Sequence, residues 1–145
     1  KEGFLKITDR KKEMFKTSGG KYIAPAVIES ELKQSRFIEQ IMIIGEGEKM
    51  PAAFIQINFD FAKEWANRKQ LNAETILYNE RFINRIQKEI DFHNQKFGKW
   101  EQIKKFEITH DEWTVDAGHL TPTMKMRRKI IKEKYKNLYQ KIYNM

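Results

Sequence analysis

The chain has 145 residues, no cysteine, 33% charged and 40% apolar side chains, and a formal charge of +8. This length suits one domain with a sizeable core. The composition excludes a disordered tail, and no run reaches the roughly 18 apolar residues that a membrane helix needs. The lack of cysteine excludes a disulfide scaffold, a thiolate zinc site and a cysteine nucleophile, and it suits a reducing compartment. The charge is unevenly placed: residues 1–25 carry a net +4, residues 121–145 a net +7 and the stretch between them a net −3. A basic chain is usually read as a partner of nucleic acid or of an anionic membrane. Two basic loops serving one phosphorylated ligand give the same arithmetic. Residue 1 is Lys1 and no secretory pattern follows it, so it reads as an internal cut point in a longer protein.

Phe4-Leu5-Lys6-Ile7-Thr8 and Glu13-Met14-Phe15-Lys16-Thr17 read as strands of an N-terminal β-hairpin, with Ser18-Gly19-Gly20 as a turn after them. Pro25 fits the first turn of a helix that continues through Val27, Ile28, Glu31 and Leu32. Ile38 to Ile44 is a β-branched apolar run, Gly45 to Lys49 a turn, and Ala52 to Phe59 its hairpin partner. Asp60 is placed to cap a short helix through Phe61, Trp65 and Ala66. Residues 74–97 read as the longest helix, with Ile83, Ile86, Ile90 and Phe97 on one stripe. Ile103 to Ile108 is a further strand, and Thr114 to Thr123 a loop. A basic amphipathic helix ends the chain, with Ile131, Tyr135, Leu138 and Ile142 aligned. These elements make one α+β domain: a small antiparallel sheet flanked by helices, with an N-terminal β-hairpin.

Two constellations carry chemistry. Ile7 to Pro25 is a charged turn followed by a glycine pair and a helix start. By itself it reads as a solvated hairpin turn and a second turn. Ser18-Gly19-Gly20-Lys21 lacks the spacing of a phosphate-binding P-loop, yet adjacent glycines let a backbone approach a ligand closely. Gly118 to Lys129 sets a proline-bearing loop before a helix, with Lys125 at the junction. Lys125 reads either as a surface lysine or as a point charge able to stabilise a developing oxyanion. His93, His110 and His119 have no metal-ligand spacing and no serine–aspartate partners, so structural or solvated roles are expected and no metal site is. Phe54, Phe59, Phe61 and Trp65 fall at core spacing, which makes packing a better account of them than base stacking.

At these two constellations the sequence resembles the AMP-forming acyl-CoA synthetases among the adenylate-forming enzymes. Gly3 to Pro25 is similar to their hinge motif and the loop after it. Leu120 to Arg128, Leu-Thr-Pro-Thr-Met-Lys-Met-Arg-Arg, is similar to the long-chain form of their C-terminal lysine motif. The resemblance implies that residues 1–145 form the C-terminal lid domain of a long-chain fatty acid–CoA ligase, with a hinge over residues 9–13. The large N-terminal adenylation domain is then missing, and the isolated lid is expected to be inactive. It implies ATP, fatty acid and CoA as substrates, AMP and pyrophosphate as products, and Mg2+ held mainly by the missing domain. Lys125 takes the place of the adenylation lysine and also contacts nucleotide. Asp9 and Lys12 take the hinge, Arg10 lies near the ribose and phosphate, and Ser18, Gly19, Gly20 and Lys21 take the loop that enters for thioester formation. Lys12 stands where many relatives have an acidic residue, and Met124 where many have glycine. A cytoplasmic enzyme, peripheral at the membrane at most and without specific nucleic acid, is expected. Two alternatives remain at this point: a basic module for nucleic acid or anionic membrane, and the lid of a ligase for another carboxylic acid.

Overall fold

The structure, a computed structural model, describes residues 14–144. The expectations placed on Phe4 to Thr8 and on Asp9, Arg10 and Lys12 lie outside the described residues. The hairpin that can be seen pairs β1 (Phe15–Lys16) antiparallel with β2 (Tyr22–Ile23). Helix α1 (Pro25–Leu32) follows with Pro25 at its first turn, where a missing N–H costs nothing.

β3 (Ile38–Ile44) and β4 (Ala52–Ile57) form the expected antiparallel hairpin, in register from Ile38 opposite Ile57 to Ile44 opposite Ala52. β5 (Lys105–Thr109) joins β4 in parallel, giving the order β3-β4-β5 and a mixed sheet. Parallel pairing needs a long crossover, and here two helices supply it. The first, α2 (Phe59–Arg68), starts earlier than the sequence indicates. Asn58, not Asp60, is the cap, its Oδ1 accepting from the Phe61 amide at 3.1 Å, so β4 stops at Ile57. The helix expected over 74–97 is also divided, into a 3-10 segment (Ala73–Tyr78) and α3 (Glu80–Asn94). Asn79 between them is extended, and its side chain accepts from the amides of Arg81 at 2.9 Å and Phe82 at 3.4 Å. An Asn that caps so well competes with helix continuation at its own position. The last helix is likewise two, α4 (Arg128–Lys134) and α5 (Lys136–Tyr143), broken at Tyr135.

Both faces of the sheet are covered, which is why every residue of β4 is buried. Ile41, Ile43, Ala53, Ile55 and Ile57 face α1, α2 and α3, where Phe37, Trp65, Phe82, Ile86 and Ile90 complete the larger core. Met42, Ile44, Ala52 and Phe54 face the other way, onto Trp113, Ile131, Tyr135 and Ile142. The strand period of two thus sorts each strand between two cores.

Candidate functional site

The lysine loop is a small closed hairpin. Leu120 bridges to Met126. The Thr121 amide donates to the Lys125 carbonyl at 2.8 Å, and the Lys125 amide returns to Thr121 Oγ1 at 3.0 Å. The Met124 amide closes the tip on the Thr121 carbonyl at 2.7 Å. This turn forces Met124 to φ +67°, a conformation that a side chain resists. The Lys125 side chain is exposed, and among the described residues its amine makes no hydrogen bond or ion pair. It borders an open groove of about 410 Å³ together with Glu29, Lys33, Gln40, Met124 and Arg128.

The loop is held at both ends. On the C-terminal side, Arg128 grips the buried Glu29 of α1 through two parallel hydrogen bonds of 2.6 and 2.7 Å. Glu29 Oε2 also accepts from the Ile43 amide on the free edge of β3 at 2.8 Å. Three donors compensate the buried carboxylate, and the fork geometry fixes where α4 begins. On the N-terminal side, His119 is buried. Its carbonyl accepts from the Arg127 amide at 2.8 Å, joining the two strands of the loop. Its Nδ1 accepts from the Thr114 amide at 3.2 Å, so in the neutral ring Nε2 bears the proton and donates to the Tyr135 hydroxyl at 3.0 Å. That hydroxyl donates to Asp111 Oδ2 at 3.3 Å. Trp113, His119 and Tyr135 stack as nearly parallel rings. Burial and the nearby Lys134 charge push the His119 pKa down, while burial and Asp111 push the Tyr135 phenol up to about 12.

Ser18, Gly19, Gly20 and Lys21 form an exposed loop elsewhere. The Thr17 amide donates to the Lys21 carbonyl at 2.9 Å, and Gly20 turns the chain at φ +82°. The loop leans on the turn after β3: the Ser18 amide donates to the Glu48 carbonyl at 2.8 Å and the Gly47 amide to the Lys16 carbonyl at 2.9 Å. The Lys21 amine lies 5.4 Å from the centre of the exposed Trp100 ring, within cation–π range. The structure therefore does not bring Lys125 and residues 18–21 together. The groove beside Lys125 takes in Gln40 and Ile41 in the first half of β3, whereas the glycine loop rests on the turn beyond Ile44. Sequence reasoning missed Glu29 and the Tyr135–His119 link. The signals were an acid amid the apolar positions of α1 and a histidine immediately before the lysine motif.

The profile of the AMP-binding enzyme C-terminal domain family matches residues 13–145. The chain belongs to that family. Among curated proteins it is similar to the long-chain fatty acid–CoA ligase FadD15 of Mycobacterium tuberculosis, 35% identical over 147 residues, covering 99% of this chain and 24% of the relative. It is also similar to human long-chain fatty acid–CoA ligase 6, 30% identical over 151 residues, covering 99% of this chain and 21% of the relative. It thus spans a quarter or less of the length of these relatives. The adenylation domain of a carboxylate reductase from Mycobacterium chelonae shares the fold, with a TM-score of 0.77 at 19% identity over 94% of this chain and 20% of that one. A Mycobacterium tuberculosis fatty acyl CoA synthetase does so with a TM-score of 0.54 at 18% identity, over 86% and 20%.

Proposed function

We propose that this chain is the mobile C-terminal domain of a long-chain fatty acid–CoA ligase and supplies Lys125 to the adenylation step. The observation that carries this reading is an exposed, unpaired Lys125 at the end of a loop pinned on both sides, in a chain similar along nearly its whole length to long-chain ligases. A carboxylate oxygen of the fatty acid attacks the α-phosphorus of ATP, forming acyl-adenylate and releasing pyrophosphate. Lys125 bridges carboxylate and phosphate as charge builds between them. The lid then turns about residues 9–13, with Asp9 and Lys12 as hinge, and Ser18 to Lys21 enter to line the path of CoA. The thiolate sulfur attacks the acyl carbon, and AMP leaves with its bonding electron pair. Arg10 is assigned to the nucleotide. The separation of the two loops along β3 suits a domain that presents them in turn. A lysine that arrives only on closure contributes to the transition state and then withdraws.

Among the described residues no group of three or more His, Asp or Glu side chains is placed to hold a metal ion. Mg2+ is assigned, as the family resemblance implies, to the adenylation domain, along with the acyl pocket that would set the choice of acid. The apolar stripe of the final helices packs into the smaller core and is not free to enter a bilayer. No helix among the described residues is long and apolar enough to cross a membrane.

The test is Lys125→Ala in the full-length ligase. Pyrophosphate exchange should fall by about 3 kcal/mol of transition-state stabilisation, the scale of a lost oxyanion donor. CoA transfer to pre-formed acyl-adenylate should persist. Equal loss of both half-reactions would sink the assignment.

A further inference from the structure

The final helical pair holds most of the +7 charge, and nothing in the two-step reaction calls for it. Its inner side carries Tyr135, Tyr139 and Tyr143, each four residues after the last, and each phenol reaches a loop or turn rather than water. Tyr135 sits at the break between α4 and α5, and its hydroxyl lies between His119 and Asp111. The ring it orients is that of the residue whose carbonyl closes the base of the lysine loop. Tyr139, one turn on, donates to Glu48 Oε2 at 2.5 Å. Glu48 is the residue whose carbonyl receives Ser18. Tyr143 packs against Tyr139 with ring centres 4.9 Å apart and planes inclined by 52°, and it donates to the Met50 carbonyl at 2.8 Å, closing the same turn.

We propose that Tyr135 and Tyr139 are positioning residues for different half-reactions, Tyr135 holding the Lys125 loop and Tyr139 the Ser18–Lys21 loop. The proposal rests on the functional reading above. It also accounts for the helix: Lys129, Lys132, Lys134 and Lys136 are exposed, Lys132 with its amine 4.9 Å from the centre of the Tyr139 ring, and the tyrosines are its working side. A helical pair tied through His119 to one loop and through Glu48 to the other sets their separation, which an alternating lid requires.

Tyr135→Phe and Tyr139→Phe in the full-length ligase provide the test, with pyrophosphate exchange and CoA transfer to pre-formed acyl-adenylate measured separately. Each variant loses one hydroxyl and keeps its ring. Tyr135→Phe should slow the first half-reaction about tenfold, the worth of one hydrogen bond, and change the second by less than about twofold. Tyr139→Phe should do the reverse. In each, kcat for the affected step should fall while KM for that step's own substrate, fatty acid for Tyr135→Phe and CoA for Tyr139→Phe, holds. A merely structural tyrosine would lower both halves alike, and that result, or no change in either, overturns the proposal. Lys125→Ala is run beside them. If it is selective and the phenylalanine variants are not, only the positioning roles fail; if it is not selective, the functional reading fails and the proposal with it. Should either variant fold poorly, Asp111→Ala and Glu48→Ala remove the acceptors from outside the core and must show the same split.

Discussion

The two faces of the central sheet are built on different physics. Against α1, α2 and α3 the contacts are aliphatic and aromatic: Phe37, Phe61, Trp65 and Phe82 meet edge to face, with centroids between 4.8 and 6.3 Å apart. Against α4 and α5 the core is smaller and threaded with polar groups. Gln56 takes the Trp113 amide at 3.0 Å, Thr109 takes the Trp113 indole at 2.9 Å, and His119 takes the Tyr135 phenol into its chain of hydrogen bonds. Among the described residues no buried side-chain polar atom lacks a partner. Packing is non-directional and holds a fold together; hydrogen bonds are directional and place a loop. The first face serves stability, and the second serves the position of Lys125.

The sharpest way to test that division is to damage each face separately. Phe82→Ala removes a fully buried ring from the apolar face and should cost about 3–5 kcal/mol in chemical denaturation. Wherever the protein is still folded, the ratio of the two half-reactions should be unchanged. Arg128→Ala on the loop side leaves Glu29 buried with, among the described residues, only the Ile43 amide as its remaining donor. Because the Arg128 side chain is 35% exposed and water can reach the site, the loss should be smaller, about 2–3 kcal/mol. Unlike Phe82→Ala, it should also depress adenylation selectively. Equal half-reaction ratios in the two variants would erase the distinction between the faces.

The same contrast explains what could be read from the sequence. The β3–β4 hairpin was legible because Ile38 to Ile44 and Ala52 to Ile57 are long apolar runs joined by a glycine turn. The helix stripes at Ile86 and Ile90, and at Ile131 and Ile142, were legible for the same reason: burial leaves a period in the chain. The breaks at Asn79 and Tyr135 were not, since a cap or a bent turn is a competition between local hydrogen bonds and helix continuation that leaves no period. The parallel pairing of β5 was also hidden, because strand direction is a property of the crossover and not of Lys105 to Thr109. At the site, Lys125 and the Ser18–Lys21 loop were visible as motifs. The partners that hold them lie far along the chain: Glu29 is 99 residues from Arg128, and Glu48 is 91 from Tyr139. Such pairs exist only once the chain has folded.

The hydrogen-bonded face should also show itself in pH. Burial lowers the His119 pKa below its ordinary 6.5, so the native state favours the neutral ring. Stability from this group is therefore complete above pH 6.5 and is lost as pH falls below it, because burial, and then the Lys134 charge, disfavour the protonated ring. Glu31, held below its ordinary 4.5 chiefly by His93, weakens the other face only at lower pH. On the alkaline side Tyr135 is raised from 10 to about 12, so its contribution is intact below pH 10 and fades as pH climbs through about 12. Denaturation midpoints taken across pH should show an acid limb starting near 6.5 that His119→Gln removes. Survival of that limb in the variant would assign it elsewhere.

The smallest effects distinguish the two loops themselves, and their signs should be opposite. Met124 holds φ +67° with a side chain that is 61% exposed, so Met124→Gly removes backbone strain and sacrifices little packing. The strain relieved is about 1 kcal/mol, and the extra freedom of glycine in the unfolded chain takes back about 0.5–1 kcal/mol. The variant should be neutral to slightly stabilised. Gly20 holds φ +82°, and among the described residues a Cβ there would meet only Lys16 Cε at 4.0 Å, so the backbone angle is what Gly20→Ala strains. It should lose about 1 kcal/mol. If both substitutions shift the denaturation midpoint in the same direction, the backbone angles are not what sets the two loops apart, and their side-chain anchors must be.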